Sequence, residues 1–276
     1  MKKLALLLFF VSSITFSQSP WTQKKGKFYT QFSYSTISDY DTLFGDPDYA
    51  TERKVTDNTA QFYVEYGISD NMTLIVNVPY KMLKTGALVT NTNTPVTTEA
   101  SKNVLGNASI GIKRVFYKRN WIVSGQLTAQ KDVSEFDDAS GIRGGYDSYI
   151  FTPLIMLGKG AEKYYMQYFI GADFFVNNYS SRFKAGGEIG FKPFNGLWLA
   201  GFVDIALSLK NGKYAVPASN TLTGLYVDNQ EYGAFGAKLI GEFSKNFGVT
   251  AAFGGAFFGN NVAKKAALSA GVFAKF

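Results

Sequence analysis

The 276-residue sequence contains no cysteine and no histidine. Without these side chains it cannot form a disulfide framework, a thiolate nucleophile, a histidine-based catalytic triad or a zinc site of the usual His/Cys kind. We therefore predict no catalytic, cofactor-binding or metal-binding residue, no cofactor and no enzymatic activity. Chemistry based on a Ser/Lys pair or on carboxylates alone is left open as the lowest-ranked alternative.

Long hydrophobic runs and proline are also scarce. Beyond the N-terminus, no segment approaches the roughly 20 apolar residues that a membrane-spanning helix requires, and the mean hydropathy is -0.04. Proline occurs 7 times, whereas Phe occurs 25 times and Tyr 17 times, a composition that favours pleated sheet. Although the net charge is +7, no basic run is interleaved with aromatic residues. A nucleic-acid partner is therefore not expected.

Residues 1–17 have the pattern of a secretory signal peptide. A basic start at Lys2 and Lys3 precedes an apolar run over residues 4–11, and small residues follow near the expected cleavage point. The mature chain is predicted to be a single domain over residues 18–276. Export of a chain without cysteine is compatible with the envelope of a Gram-negative cell.

The stretch Ala60–Lys84 shows the pattern that the rest of the chain repeats. Apolar and polar side chains alternate with period two on both sides of the turn Ser69-Asp70-Asn71, which predicts a β-hairpin. If the hairpin spans a membrane, one face meets lipid and the other lines a lumen. The expected lipid-facing residues are Phe62, Val64, Leu74 and Val76, and the expected lumen-facing residues are Gln61, Glu65 and Asn77.

About twelve such strands are predicted, each close to the 9–11 residues of a tilted membrane-spanning strand. Long polar connections are expected at residues 38–55, 85–103, 132–147 and 211–230. When the connections are counted from the N-terminus, every even-numbered one is short. This sorting predicts an all-β, antiparallel, up-and-down transmembrane barrel in the outer membrane, with both termini in the periplasm. The alternative, a soluble β-sandwich, also has alternating strands but no reason to sort its loops by length.

Aromatic residues lie beside the predicted short turns, as a girdle at the membrane interface requires. They are Tyr66, Phe116, Trp121, Tyr164, Phe191, Phe194, Trp198, Phe243 and Phe247. The chain ends in Phe276, which resembles the C-terminal signal read by the barrel assembly machinery of the outer membrane. The match is partial, because Ala274 stands where an aromatic residue is common. Outer-membrane lipids and this machinery are the expected partners.

The polar face carries the charged residues of a candidate lumen constriction. They are Glu65, Lys113, Asp173, Glu188, Asp204, Lys238 and Glu242. Lys113, Glu188, Asp204 and Lys238 are predicted at similar depth, where they could form one ion network. Either the charges neutralise one another to hold a narrow barrel closed, or they form a polar constriction that filters solutes.

Two predicted loops are rich in carboxylates, whose oxygens are suitable ligands for Ca²⁺ or Mg²⁺. Neither has the spacing of an EF-hand, and a solvated surface is the preferred interpretation. The residues are Asp39, Asp41, Asp46 and Asp48 in the first loop and Glu135, Asp137 and Asp138 in the second.

The hairpin EYGISDNMTLIVNVPY, followed by GNASIGIKRVFYK, resembles a family of outer-membrane barrels associated with the degradation of phenol and related hydrophobic compounds, the MetA-pathway-like transporters. The resemblance is clear for Gln61–Lys118 and only architectural afterwards. It implies a barrel and a channel role for small apolar solutes, but no functional residues. The matching positions are Tyr66-Gly67, Asp70-Asn71 and Val78-Pro79-Tyr80.

The leading hypothesis is a passive channel or transporter for small solutes, hydrophobic or aromatic ones included. The sequence identifies no particular solute. A non-transporting adhesion, surface or structural barrel is the alternative, and an outer-membrane enzyme ranks last.

Overall fold

The structure is a computed structural model that describes residues 18–88 and 97–276. The predicted signal peptide lies outside the described residues. Within these two ranges, no helix is long or apolar enough to cross a membrane.

Twelve antiparallel strands form a closed barrel, as predicted. Each strand pairs with its neighbours in sequence, and the first strand also pairs with the last, which closes the cylinder. Two short strands, β4 and β13, pair beside the main strands β3 and β1. The described elements are β1 (Phe28–Phe44), β2 (Tyr49–Ser69), β3 (Met72–Thr85), β4 (Ala100–Leu105), β5 (Ala108–Lys118), β6 (Ile122–Lys131), β7 (Tyr149–Gly160), β8 (Tyr164–Phe175), β9 (Arg182–Phe194), β10 (Leu197–Ser208), α1 (Ala218–Thr221), β11 (Glu231–Glu242), β12 (Phe247–Asn260), β13 (Val262–Ala263) and β14 (Ala267–Lys275).

Side chains alternate between the two faces of the barrel wall, because successive Cβ atoms of a strand point to opposite sides. In β2, Phe62 is 49% exposed on the outside, whereas Glu65 is buried on the inside. The same alternation holds in β7, the strand predicted at residues 148–157 with two apolar faces, where Ile155 faces outward and Met156 is buried. The outer surface is therefore an apolar band suited to lipid.

The connections sort by length to the two ends of the barrel. At one end, here called the turn end, the connections are residues 70–71, 119–121, 161–163, 195–196 and 243–246. Both termini of the barrel lie at this end, because Phe28 and Phe276 exchange two backbone hydrogen bonds there. The opposite end, the loop end, carries the longer connections, except for the four-residue turn at residues 45–48. The prediction that every even-numbered connection is short is confirmed.

The expectation of a long polar connection at residues 38–55 is wrong. β1 and β2 instead continue as a paired hairpin and are joined by a turn at residues 45–48. The hairpin is stable because Tyr40, Leu43 and Val55 are buried in a core at the loop end. The long connection predicted at residues 85–103 does join two wall strands, β3 and β5, and it contains the short strand β4, which pairs with β3.

Two segments cover the loop end of the barrel. Residues 132–148 and 209–230, together called the loop cap, fold over the mouth and contribute Ile142 and Leu225 to the core there. Thr223 Oγ1 and Asn220 Nδ2 both donate hydrogen bonds to the carbonyl oxygen of Gly141, at 3.1 and 3.3 Å, and so join the two segments. The two segments of the loop cap therefore pack against each other and against the core at the loop end.

The predicted aromatic girdle is present at the turn end, with one correction. Phe116, Phe194 and Phe243 are 65%, 71% and 77% exposed on the outer surface. Trp198 points into the lumen instead, and its Nε1 donates a 3.4 Å hydrogen bond to Glu242. A register irregularity between Leu197 and Leu199 adjoins the turn here, so the nearness of Trp198 to the turn did not indicate which face it occupies.

Candidate functional site

Two chambers lie in the lumen formed by the residues that the structure describes. The turn-end chamber has a volume of about 470 Å³, and the loop-end chamber has a volume of about 320 Å³. Inward residues of the same strand line both chambers. On β1, Gln31 lines the turn-end chamber and Ser35 lines the loop-end chamber. At the intermediate level, the ring of Phe202 lies against Gly236 and Gly254, where a Cβ atom would collide with it. Phe202 is thus held close to the wall.

Six aromatic side chains line the turn-end chamber. Tyr165 packs edge-on against Trp198 and Trp21, with ring centroids 5.3 and 6.2 Å apart, and Tyr29 stacks on Phe273 at 5.7 Å. Such rings offer apolar faces to a solute while their polar edges keep hydrogen-bond partners. The aromatic residues lining the chamber are Trp21, Tyr29, Tyr63, Tyr165, Trp198 and Phe273.

The charges around the turn-end chamber are paired. Lys113 Nζ lies 2.8 Å from Glu65 Oε1, and the Lys113 side chain is only 1% exposed. Glu188 forms an ion pair with Lys238 on the other side of the chamber. Pairing offsets part of the cost of withdrawing these charges from water, so the chamber presents little uncompensated charge to a solute.

The segment before β1 runs inside the barrel. In this N-terminal segment, residues 19–25, the carbonyl oxygen of Ser19 accepts a 3.0 Å hydrogen bond from Lys113 Nζ. The carbonyl oxygen of Pro20 accepts one from Ser124 Oγ. Gln23 Nε2 donates to Glu65 Oε2 at 2.7 Å. Side chains of the wall therefore hold the segment in the lumen.

Contacts at the turn between β2 and β3 hold the outer part of the same segment. Asp70 accepts hydrogen bonds from the Lys25 backbone nitrogen at 3.0 Å and, through its carbonyl oxygen, from Thr22 Oγ1 at 2.9 Å. The backbone of Lys24 approaches Gly67 so closely that a side chain at Gly67 would not fit. The N-terminal segment therefore narrows the turn-end outlet.

The loop-end chamber is more polar. Asp57 pairs with Lys81 at 2.8 Å, and Asp173 pairs with Arg182 at 2.8 Å. Lys184 Nζ lies farther from Asp173, at 3.9 Å. Tyrosines from the barrel and the loop cap complete the wall: Tyr40, Tyr146, Tyr226 and Tyr232.

The structure places all seven predicted constriction residues on the inner face but divides them. Glu65, Glu188, Lys238 and Glu242 line the turn-end chamber, and Lys113 lies behind Glu65. The other two lie toward the loop end: Asp173 lines the loop-end chamber, and Asp204 accepts a 3.4 Å hydrogen bond from Tyr232.

Of the four residues expected in one network, Glu188 and Lys238 do form an ion pair, but Lys113 and Asp204 lie apart from that pair. Lys113 pairs with Glu65 on one side of the barrel, while Glu188 pairs with Lys238 on another. β5 and β9 are separated by three intervening strands. Lys113 and Glu188 were predicted at a similar depth in the barrel, but they project from strands on different sides of it and are not neighbours.

Sequence reasoning missed the N-terminal segment, the aromatic lining and the cations Arg182 and Lys184. A signal for the lining was present, because Tyr29 and Tyr63 occupy the otherwise polar face of the period-two pattern. The N-terminal segment has no comparable periodicity, and only its contacts with distant strands place it in the lumen.

A carboxylate in each acidic loop pairs with a lysine from another segment. Asp48 forms an ion pair with Lys264. Asp137 lies 3.3 Å from Lys102 and accepts a 2.6 Å hydrogen bond from Ser140. Within the described ranges, no three His, Cys, Asp or Glu residues are grouped so that they could hold a metal ion.

A closed antiparallel barrel with an apolar exterior and chambers along a polar lumen is the architecture of outer-membrane channels and porins. No protein-family model matches the chain, and no curated protein matches its sequence. Solved structures do. The COG4313 outer membrane channel from Pseudomonas putida F1 aligns with a TM-score of 0.69 at 12% identity, covering 95% of this chain and 100% of that one.

Two porins also share the fold. The KdgM porin aligns with a TM-score of 0.55 at 8% identity and covers 90% of this chain and 99% of its own. The NanC porin aligns with a TM-score of 0.50 at 8% identity and covers 90% and 98%. At these identities the similarity shows the fold, which is that of an outer-membrane barrel.

Proposed function

We propose that this protein is a passive, non-enzymatic outer-membrane channel for small solutes, aromatic ones included. The observation that carries the proposal is the pair of chambers, about 470 and 320 Å³, inside a closed barrel. Side chains can fill much of the lumen of a barrel of about this size. Here the wall leaves space large enough for small organic molecules.

The lining of the turn-end chamber supports aromatic or otherwise apolar solutes. Trp198, Tyr165 and Phe273 line this chamber with aromatic surface against which an apolar solute can pack, and the nearby carboxylates are paired with lysines. The resemblance of Gln61–Lys118 to barrels associated with phenol degradation supports the same class. We propose that the chain belongs with those barrels.

The N-terminal segment gives this channel a narrow outlet, so its removal should widen the conducting path. Deleting residues 19–23 should raise the single-channel conductance of the refolded protein severalfold in planar bilayers, because wall contacts hold this segment in the lumen. Heat-dependent mobility on gels would show that the deleted variant still forms a barrel. Equal conductance in both proteins would contradict the proposed path.

A non-transporting structural or adhesion role is the second candidate. The observation that favours it is the loop cap, whose packed core covers the loop end. The bilayer recordings separate the two candidates. If neither the full chain nor the deletion variant carries current, although both are folded, the channel proposal fails and the structural role is supported.

The lumen charges offer an independent test. Replacing Lys238 by Met should shift ion selectivity toward cations, because Glu188 then loses its partner. Replacing Asp204 by Asn should shift selectivity the other way. Reversal potentials in a salt gradient measure both shifts, and unchanged values would remove these residues from the conducting path.

The proposal includes an orientation and an assembly route. Residues 1–17 would be removed on export, both termini would lie in the periplasm, and the apolar band would contact outer-membrane lipids. Phe276 is exposed at the end of β14 beside Phe247, with ring centroids 6.1 Å apart. There it would be available to the barrel assembly machinery.

A further inference from the structure

A charged residue interrupts the lipid-facing row of β5. Arg114 is exposed on the outer surface, between Ile112 and Phe116, which are 48% and 65% exposed. It makes no ion pair within the described part of the chain. A charge that faces lipid is unfavourable unless it reaches the interface or meets an opposite charge. Arg114 pairs in register with Met72, the first residue of β3, so it lies beside the turn end, where its guanidinium can reach an anionic group at the interface.

Four further cations lie at the turn end of the adjoining strands β5 to β8. Lys118, Arg119 and Lys163 are exposed, and Lys159 is half-buried on the outer face. None of the four forms an ion pair with any residue that the structure describes. Arg114 and these four residues are together called the basic sector.

Carboxylates do not balance the basic sector. Glu162, in the same turn as Lys163, is its one acidic residue among those described. Asp70 belongs to the neighbouring turn but accepts hydrogen bonds from the N-terminal segment. The turn at residues 195–196 has no charged residue. Other exposed cations at this end, Lys24, Lys25, Lys27 and Lys245, lie away from the wall strands β5 to β8.

Apolar and aromatic surface adjoins these cations. Lys159 Nζ lies 5.7 Å from the ring centre of Trp121. The Phe116 ring covers Gly125, and Ile155 and Leu157 continue the apolar surface along β7. Cations at the level of an aromatic girdle, with apolar side chains behind them, match a phosphate headgroup whose acyl chains run along the wall.

We infer that the basic sector binds the phosphate headgroup of an anionic phospholipid in the inner leaflet of the outer membrane. The inference rests on the orientation given under the proposed function, in which the turn end faces the periplasm. Arg114 reaches down from the apolar row to the phosphate, and Lys118, Arg119, Lys159 and Lys163 surround it at the interface. Guanidinium groups suit this role because they form paired hydrogen bonds with phosphate oxygens.

The test compares phosphatidylglycerol with phosphatidylcholine, using the full-length refolded barrel in neutral detergent and native mass spectrometry to count retained lipids. The natural sequence should retain phosphatidylglycerol roughly ten-fold better. The variant R114Q/K118Q/R119Q should lose this preference. The matched control K24Q/K25Q/K27Q removes three exposed cations at the same end but outside the basic sector, and it should keep the preference.

Three results would overturn the inference: no preference in the natural sequence, equal losses in the two triple variants, or stronger retention of lipopolysaccharide, a lipid of the opposite leaflet, than of phosphatidylglycerol. If R114Q/K118Q/R119Q does not refold, K159Q/K163Q provides the same comparison. Bilayer currents recorded on the same samples test the channel function separately from the lipid site. A barrel that binds phosphatidylglycerol without conducting would reject the channel and support the lipid site.

Discussion

At the residue scale, Lys113 links three parts of the molecule. It projects inward from β5, pairs with Glu65 on β2 and donates a hydrogen bond to Ser19 in the N-terminal segment. Glu65 in turn accepts hydrogen bonds from Gln23 and from Tyr63. The carboxylate is thus surrounded by donors, and Lys113 is the cation among them.

Replacing Lys113 by Met should destabilise the barrel by about 3–5 kcal/mol, because Glu65 would remain buried without its cation. Urea-induced unfolding in lipid vesicles measures the change. The double variant Glu65→Gln/Lys113→Met should recover much of the loss, since no unpaired charge then remains.

Lys131→Met is the matched control for this prediction. Lys131 also pairs with a carboxylate, Asp147, but their side chains are 36% and 64% exposed. Removing an exposed pair should cost no more than about 1 kcal/mol. Similar losses in Lys113→Met and Lys131→Met would contradict the importance of burial.

At the element scale, the loop cap is closed partly by one carboxylate. The Ser140 hydroxyl and Lys102 both contact Asp137 and hold the pKa of its carboxyl below the usual range. The backbone of Asp137 accepts a 2.7 Å hydrogen bond from Gly141, within the part of the loop cap that packs on Thr223. Protonation of Asp137 should therefore loosen this contact.

The sign of the pH effect follows from the lowered pKa of Asp137. Its contribution to closure is fully present above the unfolded pKa of about 3.9 and is lost as the pH falls through the lower, folded value. Bilayer conductance should therefore rise at acid pH as the loop cap opens. Asp137→Asn should already show part of this rise at neutral pH.

Asp46→Asn provides the control for the pH experiment. Asp46 is exposed in the turn at residues 45–48, whereas the contacts of Ser140 and Lys102 are with Asp137. This substitution should leave the neutral and acid conductances as they are in the natural sequence. Identical behaviour of Asp137→Asn and the natural sequence at every pH would show that Asp137 does not hold the loop cap.

At the scale of the whole molecule, the two ends of the barrel differ in build. The turn end has connections of two to four residues and holds the N-terminal segment. The loop end carries the loop cap and the extended hairpin of β1 and β2. Outer-membrane barrels have short periplasmic turns and longer external loops, and this asymmetry supports the proposed orientation.

The absence of native cysteine makes the orientation directly testable with single-cysteine variants. Lys213→Cys, at an exposed position of the loop cap, should react with a membrane-impermeant maleimide on intact cells. Asn195→Cys, exposed in a short turn, should react only after the outer membrane is disrupted. The reverse pattern would place the termini outside the cell and would also remove the basis for an inner-leaflet lipid site.

Much of the barrel was predictable because its information is local. The alternation around Phe62 and Glu65 assigns the two faces, and Asp70-Asn71 marks the turn. Prediction failed where local pattern and packing disagree. The sequence around Asp39 is polar and therefore predicted a loop. Tyr40 and Val55 in this region are nevertheless buried, because they pack against residues of the loop cap.

The amino-acid sequence by itself determined the strand class, the approximate strand number, the two faces of the wall and the sorting of connections, since period-two alternation and turn chemistry act between near neighbours. Only the tertiary structure decided which charges meet. Lys113 and Glu65 are 48 residues apart and become neighbours when β3 pairs with both β2 and β5. Barrel closure likewise decided that Trp198 and the N-terminal segment occupy the lumen, because the space they fill exists only once the first and last strands have joined.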